Sequence, residues 1–245
     1  MNVSNNFNLN GFYKKDKERI NLFLKKLFPY LNLNQCSIVG GLAIRHHLSE
    51  KRIKYPVRPF NDIDLIAEKI DAVSAEVSKD FLVYHYHPLQ NNSFYVVLLD
   101  KFLKIKVDIF DYDPPLEDPI TVKLFDYKIK MRGLEDQLVK TVFDIQRISE
   151  ENNVDPKQFQ DTELMMKVAD LKKANKIWQK RNYDKYPKTL LAAVTRARKI
   201  KFKYLEWFKK DPFKKPIYKC KFCKNANGFK VTPMRKIYSV LGYIE

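Results

Sequence analysis

Ile38-Val39-Gly40-Gly41-Leu42-Ala43-Ile44-Arg45 reads as an apolar strand running into a double glycine and a short helix, and Arg58-Pro59-Phe60-Asn61-Asp62-Ile63-Asp64-Leu65 reads as a second strand carrying two acids one residue apart. Residues i and i+2 of a strand point to the same face, so Asp62 and Asp64 present two carboxylates side by side where the sheet ends. Such a pair repels itself unless a hard divalent cation lies between its oxygens. Mg²⁺ held by one or two carboxylates plus substrate phosphates is the usual solution. Gly40 and Gly41 lack side chains and let the backbone N–H groups at the start of the following helix come close to a phosphate. Arg45 and Arg58 flank these stretches and are candidates to offset phosphate charge. Together the residues imply phosphoryl or nucleotidyl transfer.

A third acid follows on a later strand. In Phe102-Leu103-Lys104-Ile105-Lys106-Val107-Asp108-Ile109-Phe110, Leu103, Ile105, Val107 and Ile109 alternate with Lys104, Lys106 and Asp108, the pattern of a half-buried strand. Asp108 ends the polar face and is expected either to join the metal site as a third ligand or to take the proton from an attacking hydroxyl. Asp111 and Asp113 are its nearest rivals on that strand face.

The order of these pieces, hydrophobic-Gly-Gly, then Asp-Ile-Asp, then Val107-Asp108-Ile109, resembles the DNA-polymerase-β-like nucleotidyltransferases. Gly-Gly-Leu-Ala-Ile-Arg and Arg58-Pro-Phe-Asn-Asp-Ile-Asp are similar to the AbiE-type toxin branch and its relatives. The resemblance covers roughly residues 15 to 150 by motif and element order. It implies transfer of NMP from an NTP to an acceptor hydroxyl with release of pyrophosphate. Asp62, Asp64 and Asp108 would be the catalytic and metal-holding residues, with two Mg²⁺ ions. Gly40, Gly41, Arg45 and Arg58 would bind nucleotide, ATP being one candidate. Through the toxin branch, a tRNA end becomes the first acceptor to consider and an antitoxin protein a partner. Two departures stand out: twenty residues separate Gly41 from Asp62, and Leu42 stands where many polymerase-like members carry Ser.

The chain's net charge of +17 is unevenly spread. Residues 1–120 hold 16 Lys+Arg against 15 Asp+Glu, whereas residues 121–245 hold 30 against 14. From Lys172 to Lys236 there are 22 basic residues and three acids. That density exceeds what solubility requires and is the footprint of a surface that meets a polyanion, here RNA. Arg196, Lys199 and Lys203 are the expected nucleic-acid contacts. Solvated lysines alone would give the same composition. A membrane role is not expected, because the basic stretch is broken by Tyr183, Tyr186, Pro187 and Pro212 and no apolar run approaches the roughly 18–20 residues of a spanning helix. The first residues lack a basic and apolar leader pattern, so the expected compartment is the cytoplasm.

The expected fold class is α+β, a nucleotidyltransferase-like mixed sheet with flanking helices over residues 1–130, followed by a helical, strongly basic domain over 131–245. Helical spacing of Ile20, Phe23, Leu24, Leu27, Phe28 and Leu31 predicts an amphipathic helix from Lys14 to Leu31. Strands are predicted over Cys36–Val39, Ile63–Glu68, Phe81–His87, Phe94–Leu99, the Asp108 stretch and Thr121–Lys130. Helices are predicted at Leu42–Leu48 and near Ala72–Lys79. The Phe94–Leu99 and Leu103–Phe110 strands read as a hairpin. Beyond Gly133, Leu134, Leu138, Val142, Ile145 and Ile148 mark one helix. Asp155-Pro156 opens another, and Thr189–Lys210 is a third that packs through Leu190, Val194, Ala197, Ile200, Tyr204 and Phe208. The helical part is expected to close over the nucleotide site.

Other features point elsewhere. Cys220-Lys221-Phe222-Cys223 is half of a zinc ribbon, but Cys36 is the only other cysteine and no histidine lies beyond His87, so zinc is not expected there. An odd cysteine count makes no disulfide framework. His46-His47 follow the double glycine and read as partly exposed surface, and His85 and His87 share a strand face without a matching acid. Two other classes remain: a small-molecule or antibiotic nucleotidyltransferase, which needs an acidic pocket, and a catalytically silent RNA-binding protein.

Overall fold

The computed structural model describes residues 3–4, 7, 12–56, 60, 62–88, 94–111, 115–149, 156–181 and 183–200. Its centre is a mixed sheet of β1 (Val3–Ser4), β2 (Cys36–Val39), β3 (Asp62–Ala67), β4 (Leu82–Pro88), β5 (Phe94–Asp100), β6 (Ile105–Asp111), β7 (Ile120–Leu124) and β8 (Tyr127–Met131). The spatial order is β1-β7-β8-β2-β3-β6-β5-β4. β3 runs antiparallel to β2 and parallel to β6, and β5 is antiparallel to both β4 and β6. The helices are α1 (Lys14–Leu27), α2 (Gly40–Glu50), α3 (Leu134–Ser149), α4 (Pro156–Met166), α5 (Leu171–Lys180) and α6 (Leu190–Ala197). A mixed sheet with helices is the class expected from the sequence.

Two apolar cores hold these layers together. The first joins the sheet to α1, whose Ile20, Phe23, Leu24 and Leu27 are fully buried against Ile38, Ile63, Leu65, Val107 and Ile109. Burying a side chain of this size contributes about 1.5–3 kcal/mol. The second core lies among the helices, with Leu138, Val142, Trp178, Leu190 and Val194. α2 belongs to both: Leu42 and Ala43 pack in the first core, Ile44 and Leu48 in the second. A helix enclosed in this way is buried from Leu42 through Leu48.

Several boundaries differ from the sequence reading. α1 stops at Leu27 and gives way to a 3₁₀ turn over Phe28–Tyr30, because Pro29 has no N–H to continue the ladder. The stretch near Ala72–Lys79 forms two 3₁₀ turns, Ile70–Ala72 and Ala75–Lys79. The single strand expected over Thr121–Lys130 is the β7–β8 hairpin, turned at Phe125 and Asp126, with Phe125 at φ 55°. α6 closes at Ala197, where the sequence suggests one helix to Lys210, and residues 201–210 lie outside the described part. α5 escaped the sequence reading; Asp170 caps it by accepting from the N–H groups of Lys172 and Lys173 at 3.0 and 3.1 Å.

Candidate active site

β3 emerges from the first core with Ile63 and Leu65 buried on one face and Asp62 and Asp64 on the other. The parallel pairing to β6 sets Asp62 opposite Lys106 and Asp64 opposite Asp108. The three acids expected to act together are therefore neighbours on one sheet face. Asp111, three residues beyond Asp108, has the opposite parity and pairs with Ala67. It was wrongly placed with Asp108, although it does reach the cleft at the end of β6. Asp113 lies outside the described residues.

Beside β3, β2 leads into α2 at Gly40. A Cβ on Gly40 would come 2.0 Å from Oδ2 of Asp64, and φ is +65°, so any side chain there is strained and presses on the carboxylate. Gly41 is exposed, and a Cβ there would meet nothing within 4 Å. Val39 at the N-cap makes no side-chain hydrogen bond to the helix. The Gly40 N–H donates instead to Oε1 of Gln137 at 3.1 Å, and Gln137 in turn donates to Thr141 Oγ1 at 3.3 Å.

These groups line a cleft of about 470 Å³ whose far wall is α3 and α4. The near wall carries Asp62, Asp64, Gly40 and Gly41, and the far wall carries Lys140, Arg147 and Lys157. Lys140 donates to both oxygens of Asp144 at 2.5 and 2.6 Å. Arg45 also lines the cleft, but its guanidinium is held between the rings of Phe12 and Tyr55, 4.1 and 4.6 Å from their centroids. Tyr55 then donates to Asp161 of α4 at 2.7 Å. Arg45 thus ties α2 to α4 through stacked rings. Arg58 lies outside the described residues.

The electrostatics of the acids are crowded. Burial, and then the charges of Asp62 and Asp108, push the Asp64 carboxyl up to about 7. Both oxygens of Asp108 are engaged: Tyr95 donates to Oδ1 at 2.9 Å and Lys106 pairs with Oδ2. Burial opposes charge on Lys106, yet Asp108, Asp62 and Asp64 outweigh it and hold its pKa above the usual lysine value. The Tyr95 hydroxyl is raised by burial and by Asp108. Asp62 and Asp64 are a donor pair whose mutual repulsion a divalent cation would relieve, so the two residues fit such an ion. Among the described residues no three His, Cys, Asp or Glu side chains converge as a metal-holding group.

Sequence reasoning missed Tyr95, Gln137, Thr141, Lys140, Arg147 and Lys157. It also left His46 and His47 near the surface, whereas both are buried, at 0% and 9% exposure. His46 stacks on Phe7, and His47 Nε2 lies 2.8 Å from the Arg132 carbonyl oxygen. Burial, with His47 nearby, lowers the His46 pKa to about 4. Burial also drives the Cys36 thiol up to about 12, the behaviour of an inert core cysteine. On the basic side, Arg196 in α6 and Lys199 in the turn after it are exposed, while Lys203, Cys220 and Cys223 lie outside the described residues. No helix of the described residues is long and apolar enough to cross a membrane.

No family model matches the chain, and no curated protein matches it. Solved structures do. An antigenic nucleotidyltransferase-like protein from Paracoccidioides brasiliensis overlaps 79% of this chain and 96% of its own at 16% identity and a TM-score of 0.36. The Megavirus polyadenylate synthase overlaps 74% of this chain and 38% of its own at 15% identity and a TM-score of 0.39. Overlaps this loose carry no chemistry, which rests on the residues of this chain.

Proposed function

We propose that the chain is a Mg²⁺-dependent nucleotidyltransferase that moves NMP from an NTP to an acceptor hydroxyl with release of pyrophosphate. The observation that carries this reading is the packing of Gly40 against Asp64. A strand with paired carboxylates abuts the start of an eleven-residue helix, so acids and phosphate-facing backbone N–H groups share one cleft. Asp62 and Asp64 would hold the cation, which when bound neutralises triphosphate charge. Gly40, its N–H held by Gln137, turns the chain into α2, and Gly41 offers the positive end of that helix to the phosphates. Lys140, Arg147 and Lys157 across the cleft offset the charge that grows on the departing pyrophosphate. As the acceptor oxygen bonds to the α-phosphorus, the α–β anhydride bond breaks and its electron pair leaves with pyrophosphate. The acceptor's proton passes to a remaining lone pair of Asp108, whose oxygens each already accept from one partner, Tyr95 and Lys106.

The acceptor in this reading is RNA. It is supported by the excess positive charge after residue 120 and by the exposure of Arg196 and Lys199. The likeness to the toxin branch makes a tRNA end the first acceptor to try and an antitoxin protein a partner to look for.

The test is incubation of the purified chain with each labelled NTP, Mg²⁺ and total RNA. Label in RNA that disappears in Asp62→Ala and Asp64→Ala supports the proposal. RNA binding without label from any NTP would make the chain a silent RNA-binding protein instead.

A further inference from the structure

Asp108 was expected to complete a metal site, but its carboxylate is already occupied on both oxygens, by Tyr95 and Lys106. The strand register sets Lys106 opposite Asp62 and Asp108 opposite Asp64. Alternation along each strand turns all four side chains to one face. The ammonium of Lys106 pairs with Asp108 and also feels the charges of Asp62 and Asp64, with its side chain only 27% exposed. A divalent ion at Asp108 would have to displace that ammonium from a half-buried position and then remain beside it. Like charges at contact distance in such a site repel strongly.

On the nucleotidyl-transfer reading of the cleft, we infer that Lys106 is a built-in cation standing where a second metal would otherwise bind, so that the site takes one divalent ion, on Asp62 and Asp64. This replaces the two ions expected from the sequence. Lys106 acts through Asp108: it fixes one carboxylate oxygen while Tyr95 fixes the other, and it supplies positive charge on the sheet face of Asp62 and Asp64 without a dissociable ion. It is a positioning residue.

The experiment counts ions. The full chain is titrated with Mn²⁺ alone, free Mn²⁺ is read by electron paramagnetic resonance, and the Asp62→Ala, Asp64→Ala double variant gives the background from surface acids. Wild type should bind one ion above background, Lys106→Met two, and Lys106→Arg one. Without metal, Lys106→Met should melt below wild type, and Mn²⁺ should raise its melting temperature by more than it raises that of wild type. Two ions in wild type, or a folded Lys106→Met that still binds one, would overturn the inference while leaving the cation site on Asp62 and Asp64 intact. No ion above background in wild type would overturn the inference and the Mg²⁺ reading together. If Lys106→Met fails to fold, the wild-type and Lys106→Arg counts still decide.

Discussion

A Cβ added to Gly40 would lie 2.0 Å from Oδ2 of Asp64, on a residue whose φ is +65°. The two positions are locked together: the helix begins where it does because a glycine lets the carboxylate in. Gly40→Ala should therefore strain the backbone by about 1–3 kcal/mol and push Asp64 out of place. Transfer should fall by about 10²-fold or more, as a displacement of roughly 1 Å can cost that much. Gly41→Ala meets open space and should keep or slightly raise the melting temperature. Thermal melting of both variants checks the contrast, and an equal loss in the two would refute the lock.

The Gly-Gly turn and the Asp-x-Asp strand were legible because strand alternation and a glycine pair are short-range signals. The far wall of the cleft was not. Gln137, Lys140 and Arg147 come from α3, about 100 residues beyond Gly40, and no spacing in the chain announces which helix face meets a distant sheet end. Lys106 was visible on the Asp108 face but carried no role there, since only the β3–β6 register brings it opposite Asp62. The burial of His46 and His47 was hidden for a similar reason. A helix shared by two cores has no solvent face, and nothing in eleven residues tells how many neighbours it will have. The β7–β8 turn lacked a signal because Phe125 takes the left-handed conformation that Gly or Asn usually supplies.

Asp64 should give metal-free stability a recognisable pH dependence. Its carboxyl is raised from 3.8 to about 7 in the folded chain, so folding favours the protonated form. That contribution is complete below about pH 4 and is lost as pH rises through about 7. The melting temperature of wild type relative to Asp64→Asn should therefore decline across this window. Saturating Mg²⁺ should remove the decline by stabilising the ionised carboxylate. A constant difference between the two proteins from pH 4 to 8 would show that the acids are not crowded.

Asp136 anchors the far wall. Fully buried, it pairs with Arg181 at 2.5 Å, lies 3.6 Å from Arg132 and accepts from the Glu117 N–H at 3.0 Å. Asp136→Asn would leave two buried guanidinium groups without their counter-charge, at a cost of about 3–5 kcal/mol. Lys180→Ala removes the exposed ion pair to Glu117 and should cost about 0–1 kcal/mol. Urea denaturation distinguishes them, and equal midpoints would mean that the buried cluster carries little of the stability.

Arg196 and Lys199 test the RNA surface. If they and Lys203 track phosphates, the triple alanine variant should bind every RNA sequence more weakly. Each lost contact should reduce the slope of log K against log salt by roughly 0.7–0.9. NTP binding in the cleft should change little, because α6 contributes no residue to it. An unaltered salt slope would return these side chains to ordinary solvated charge.

Asp108 should show itself in the chemical step. Asp62 and Asp64 can hold a triphosphate-bound cation without it, so nucleotide affinity does not depend on its charge. The acceptor hydroxyl, by contrast, needs a base as its oxygen bonds to phosphorus. Asp108→Asn keeps the side chain's size and still accepts from Tyr95, but it removes the charge that pairs with Lys106. It should leave NTP affinity within a few-fold and lower kcat by about 10²-fold or more, the signature of an interaction made mainly in the transition state. Asp111→Asn is the matched control, since its side chain has the opposite parity on β6, and it should retain most of the turnover. If Asp111→Asn lost turnover and Asp108→Asn kept it, the proton would have to leave toward the end of β6, and the role assigned to Asp108 would pass to Asp111.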